Sequence, residues 1–157
     1  MTAAARKVLD DCRFVLSLLE EEADARRWRV FWVAAVTLIR AVGHVLKKVD
    51  GKDKKIKRSA NAAFQKWKSE NPEHQIFREF IERERNNLLK EYESDVYPLA
   101  EIHLAVEGER ELYTIDENIF RPLLDDAWAG EDARDILTEA IEWWARQLDA
   151  IDQEASR

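Results

Sequence analysis

Ala25 to Val49, ARRWRVFWVAAVTLIRAVGHVLKKV, is apolar almost all round in its middle, from Val30 to Val36, and contains no proline. A helix of this kind is a central one, because an apolar surface wider than a single stripe needs neighbours on more than one side. Counting about 100° per residue, Phe31, Ala35, Leu38, Val42, Val45, Leu46 and Val49 form one broad face. Thr37, Arg40 and His44 line up on the opposite side. Arg40 and His44 are four apart and therefore adjacent on the helix surface, as a hydrogen-bonded structural pair or as part of a site.

The remaining segments supply helices to cover it. Ala3 to Glu22 lacks Gly and Pro and repeats Val8, Phe14 or Val15, Leu18 and Leu19 at helical spacing. Its acidic last turn, Glu20 to Glu22, opposes the helix dipole, so a break is predicted close to Asp24, which can cap the next helix. After the Asp50-Gly51 turn, Asp53 to Ser69 places Ile56, Ala60, Ala63 or Phe64, and Trp67 on one face, and Asn71-Pro72 ends it. From Glu131 onward Leu137, Ile141, Trp144, Leu148 and Ile151 keep the same period. Trp143 and Trp144 read as core and flank of that helix, or as an aromatic patch for a partner. Between these regions, Val96 to Ile115 alternates Ile102, Leu104 and Val106 with His103 and Ala105 before Glu107-Gly108. That pattern suits a β-hairpin, with a short helix as the competing reading. Asp116 to Gly130 is a connector with room for a short helix around Leu123 to Trp128. The fold class is thus mainly α: a single domain over residues 1–157, built as an antiparallel bundle of four to five helices with a small hairpin insertion near residues 99–115.

A chain of 157 residues buries roughly two thirds of its unfolded surface and folds without staples. Its one cysteine, Cys12, excludes an internal disulfide. The longest apolar run, Val30 to Ile39, is far short of the ~20 residues of a membrane span, and a cytoplasmic protein with no membrane contact is expected. One cysteine and three scattered histidines give no zinc spacing, and four glycines give no phosphate-binding loop. No metal and no cofactor are therefore expected. The formal net charge of −7 is unevenly placed: residues 101–157 hold 16 acidic and 5 basic side chains, and residues 1–100 hold 16 and 20. The basic excess concentrates between Lys47 and Arg58. Lys52, Lys54, Lys55 and Lys57 are the candidates there for contacts to RNA phosphates, against the reading of a solvated interhelical turn.

Ile76 to Glu93, IFREFIERERNNLLKEYE, carries the strongest functional signal. Phe77, Phe80, Ile81, Leu88 and Tyr92 make one helical stripe, with Glu84 near its middle and Arg85 at its edge. Long ionised side chains on an apolar face need partners, so Glu84, Arg85 and Arg40 are candidates for an ion network. In an up-down-up-down bundle the second and fourth long helices run parallel, which brings His44 and Arg85 to within about 5 Å of each other along the axis.

The run Arg85-Asn86-Asn87-Leu88-Leu89-Lys90 resembles the signature of HEPN domains, small helical bundles in which an Arg, commonly followed by a polar residue, precedes a His on one helix. Arg85 and Asn86 match that pattern, and Lys90 stands where the His would be. The resemblance implies a helical fold, metal-independent RNA cleavage, dimers that bring two motifs together, and a place in toxin–antitoxin or phage-defence systems. Lysine, with an ordinary pKa near 10.4, is a poor general base at neutral pH. His44 is the histidine that could take that role in space. Two function classes follow. The first is a non-enzymatic or degenerate HEPN-like module that binds a partner protein or a second copy of itself. The second is an endoribonuclease in which Arg85 stabilises phosphate charge, Asn86 orients it, His44 moves protons, and Glu84 belongs to the same tentative constellation.

Overall fold

The computed structural model describes residues 1–83, 96, 102–105, 107–108, 112–115, 118, 120–124 and 127–157, with backbone only for 102–105 and 112–115. The architecture is a helical bundle. Its described α-helices are α1 (Ala3–Glu21), α2 (Ala25–Lys48), α3 (Lys54–Trp67) and α4 (Ala133–Ser156). Short 3-10 turns at Asp50–Lys52 and Pro72–His74 flank α3, and a π-helical segment, Ile76–Ile81, follows them. Strands β1 (Ile102–Ala105) and β2 (Leu112–Ile115) pair antiparallel, with Ile102 opposite Ile115 and Ala105 opposite Leu112.

Three aspartates start three of the helices. Asp24 accepts from the Arg27 amide at 2.8 Å, Asp53 from that of Lys55 at 2.8 Å, and Asp132 from that of Arg134 at 2.9 Å. Each satisfies a donor that the first turn leaves without a helical partner. The start of α1 is held differently, by side chains distant in sequence. Asp50, just after α2, accepts from the amides of Ala4 and Ala5 at 3.0 and 2.9 Å. Asp152, near the end of α4, accepts from the amide and hydroxyl of Thr2 and from Arg6. The ends of α2 and α4 therefore meet the beginning of α1, so both run antiparallel to it.

The buried apolar residues form one contiguous core. In α1 the inward positions are Ala5, Leu9, Cys12, Val15 and Leu19; Val15 rather than Phe14 faces the core, and Phe14 is 64% exposed. The face predicted for α2 is rotated. Trp28, Trp32, Ala35, Val36, Ile39, Val42 and Leu46 are buried, whereas Phe31, Leu38 and Val45 lie at its margins and Val49 is exposed. Where a helix is apolar all round, periodicity assigns no phase, and the two tryptophans win the interior because they bury the most area. By length and composition Ala25–Lys52 is long and apolar enough to cross a membrane. Here it packs against α1, with smaller contacts to α3 and α4.

The central stretch opens as a π-helix rather than as the α-helix predicted from Ile76. The Glu82 amide bonds the Phe77 carbonyl five residues back, at 3.1 Å. Ile76, Phe77, Phe80 and Ile81 are buried. Leu88 and Tyr92, the rest of the predicted stripe, lie outside the described residues. The described part of the 116–130 connector contains bridges and turns in place of the predicted short helix. Leu123 bridges Val96, Pro122 bridges Asp132, and Gly130 turns the chain at φ 88°.

The Asp50 clamp gives a direct test. Asp50→Ala removes the acceptor of two first-turn amides, and a loss of about 1–2 kcal/mol is expected in urea titrations, the upper part of the range for helix caps. An unchanged midpoint would mean that water replaces the carboxylate at no cost.

Candidate functional site

The C-terminal half of α2, the 3-10 turn and α3 diverge around a cavity of about 570 Å³. The Asp50-Gly51 turn is short, so α3 starts beside the end of α2 and its Lys57-Asn61-Phe64 row lies across from the Arg40-His44-Lys47 row. Buried or half-buried side chains make the floor: Leu46, Ala60, Phe64, Trp67, Phe77 and Trp144. Arg40, His44, Lys47, Lys48, Lys52 and Lys57 surround the mouth. All of these but the half-buried Arg40 are exposed. Among the described residues that line the cavity none is acidic.

Gly43 sits where α2 passes the Trp144 ring. A Cβ there would come within 3.1 Å of the ring edge, so this glycine is what admits the indole so close to the helix. Arg40 pairs with Glu82 at 3.3 Å. That is its ion-pair partner among the described residues; Glu84, the partner expected from the sequence, lies outside them. Lys47, Lys48, Lys52 and Lys57 have no ion-pair partner among the described residues. The mouth is consequently a positive zone on a chain of net charge −7.

Of the residues singled out by sequence, the structure brings together Arg40, His44, Lys52 and Lys57. Lys54 and Lys55 occupy the exposed first turn of α3 and are not among the lining residues. Glu84, Arg85 and Asn86 lie outside the described residues. The aromatic floor was not foreseen from the sequence, whereas Lys47 and Lys48 belong to the Lys47–Arg58 cluster and stand at the mouth with Lys52 and Lys57. The signal was present in the helical rows Arg40, His44, Lys47 and Lys57, Asn61, Phe64. It required knowing that these two rows face each other.

Other candidate groups are structural. Trp143 and Trp144 are both 0% exposed, which removes them as a surface patch for a partner. Burial pushes the Cys12 thiol up to about 12, so it stays protonated and is no nucleophile. A second concavity, beside Asp132, is crossed by the Asp132–Arg134 pair at 2.7 Å, and Asp132 already caps α4. Among the described residues no three His, Cys, Asp or Glu side chains converge as metal ligands do. Comparison with known family models, with curated proteins and with solved structures gives no match.

His74 is buried against Trp143, whose indole N–H donates to its Nδ1 at 3.3 Å. Burial holds the His74 pKa below its ordinary value, with Arg78 and Lys66 acting in the same direction and Glu73 opposing. The unfolded chain therefore takes up more protons at this position than the folded one. Stability falls as pH drops below the unfolded value near 6.5 and continues to fall until the folded pKa is reached. Urea titrations between about pH 7.5 and pH 5.5 are expected to show this loss, and His74→Gln to reduce the slope. The same slope in both proteins would place the responsible group elsewhere.

Proposed function

We propose that this chain is a HEPN-like helical module that acts by binding, in a cytoplasmic system of bacterial type, and that the cationic mouth between α2 and α3 holds RNA phosphates. The observation that carries this reading is the convergence of Lys47, Lys48, Lys52 and Lys57 around one opening free of described acidic side chains. Exposed lysines with no ion-pair partner among the described residues give up few described contacts when phosphate arrives, and they release condensed counterions from the nucleic acid. The acidic half of the chain repels RNA and thereby restricts it to this edge. Self-association or a partner protein is compatible with the reading, since one such mouth covers only a short length of strand.

Affinity for a single-stranded RNA is expected to fall steeply with salt. Replacing Lys47, Lys48, Lys52 and Lys57 with Gln flattens the logarithmic slope by roughly 0.7 per lost contact, about 3 for all four. Fluorescence anisotropy at two or more salt concentrations measures this. An unchanged slope would exclude the mouth as the RNA surface.

The second reading is a metal-independent endoribonuclease using Arg85 and Asn86 with His44. It is favoured by the placement of His44, exposed on the rim of the same cavity. An imidazole has the ordinary pKa that suits proton transfer near neutrality. On this reading His44→Ala and Arg85→Ala each remove at least about a hundredfold of the cleavage rate. The double variant loses little more, because groups that act as a unit are not additive. Wild-type protein that binds RNA and leaves a broad panel of RNAs intact would decide for binding alone.

A further inference from the structure

Lys54 and Lys55 stand outside the mouth and begin a second basic surface. Lys54, Arg58, Asn61, Gln65 and Lys68 recur every third or fourth residue along α3 and its C-cap, which places them within about 80° of arc. All five are exposed, as is Ala62 beside the two amides. The opposite side, with Ile56, Ser59, Ala60 and Trp67, is buried, chiefly against α4. α3 carries no acidic residue. The two aspartates just before it are taken up as caps, Asp50 on α1 and Asp53 on α3 itself. Lys54, Arg58 and Lys68 have no ion-pair partner among the described residues.

The order of side chains along the row goes beyond what solubility needs. Cations occupy both ends and uncharged amides the middle. A surface for phosphates alone gains nothing from Asn61 and Gln65, which carry no charge to displace counterions. The paired donor and acceptor of an amide match the N7 and N6 edge of adenine, and an exposed methyl such as that of Ala62 matches that of thymine. Asn61 and Gln65 are one turn apart, ~6 Å along the axis, close to two base-pair steps of ~3.4 Å. Groove dimensions decide which duplex is read. A helix with its side chains is about 10–12 Å across and the major groove of B-DNA about 12 Å wide, whereas that of A-form RNA is too narrow to admit it. The short turn at Gly51 also sets Lys52 and the end of α2 beside the first turn of α3, where phosphates bordering an occupied groove would run. We infer that α3 enters the major groove of duplex DNA, with Asn61 and Gln65 on adenine edges and Lys54, Arg58 and Lys68 on the flanking phosphates. This surface goes beyond the RNA-binding mouth and stands without it, because it reads base edges of a duplex and not the backbone of a strand.

Duplexes of about 20 base pairs, randomised at their centre and enriched by retention on the full chain, form the test. Two adenines about two base pairs apart are expected to emerge. Replacing either with 7-deazaadenine removes the N7 acceptor, leaves base pairing and the minor groove intact, and weakens binding about tenfold in fluorescence anisotropy. Asn61→Ala/Gln65→Ala binds enriched and random duplexes within about twofold of each other and keeps the salt dependence of the wild type. Lys54→Gln/Arg58→Gln/Lys68→Gln weakens both and lowers the logarithmic salt slope by about 0.9 per lost contact. No enrichment over the random pool, a 7-deazaadenine duplex bound as tightly as its parent, or equal affinity for an RNA duplex of the same sequence overturns the inference. Replacing Lys47, Lys48, Lys52 and Lys57 leaves both amides in place, so the adenine preference persists even where the single-stranded RNA slope is lost, and the two readings fall separately.

Discussion

Trp143 and Trp144 are adjacent on α4, about 100° apart around its axis, and both are fully buried. A helix can satisfy that only if it is covered on two sides. Trp67 from α3 and Phe77 from the π-helical segment supply much of the cover, with centroid distances to the pair between 5.2 and 6.1 Å. His74 closes the far side of Trp143 at 6.0 Å. Each such ring pair contributes roughly 0.5–1.5 kcal/mol beyond its buried area, so the cluster is the main tie between α3, the π-helical segment and α4. The register of these elements, and with it the shape of the cavity, depends on this packing.

The π-helical turn fits this arrangement. Ile76, Phe77, Phe80 and Ile81 are all buried, and a turn closed by i→i+5 bonds brings residues four and five apart closer to one face than an α-helix does. Phe77 can then reach the tryptophans of α4 while Phe80 reaches Trp32 on α2 at 6.2 Å. Directly after it, Glu82 meets Arg40, which links this segment to α2 a second time by charge.

Charge is sorted by what each carboxylate does. Asp50 and Asp152 are spent on holding the start of α1. Burial pushes the Asp152 carboxyl up, but hydrogen bonds from Arg6 and Thr2 outweigh it and hold the group below the ordinary carboxylate range. Around the other side of the same turn, Lys47, Lys48, Lys52 and Lys57 are exposed and have no ion-pair partner among the described residues. The segregation of acidic and basic residues evident along the chain thus becomes, in three dimensions, a positive opening on an acidic body.

The mainly helical class, the Asp24 cap, the Asp50-Gly51 turn and the inward face of α4 were determined by the sequence itself. In each of these the signal is local: a cap acts within one turn, and a polar face fixes the phase of an apolar stripe. The rotation of α2 was decided only by tertiary packing, because a helix apolar all round offers no polar face from which to count. The π-helical start at Ile76 was likewise decided there, since an apolar pattern records which residues are buried and not the pitch of the backbone that buries them. The cavity belongs to the same class. Its parts come from α2, α3, Phe77 and Trp144, stretches as much as about 100 residues apart, and the described partner of Arg40 is a glutamate 42 residues away. A site assembled across helices exists only once their faces are in register, and that register is set by the tryptophans of α4.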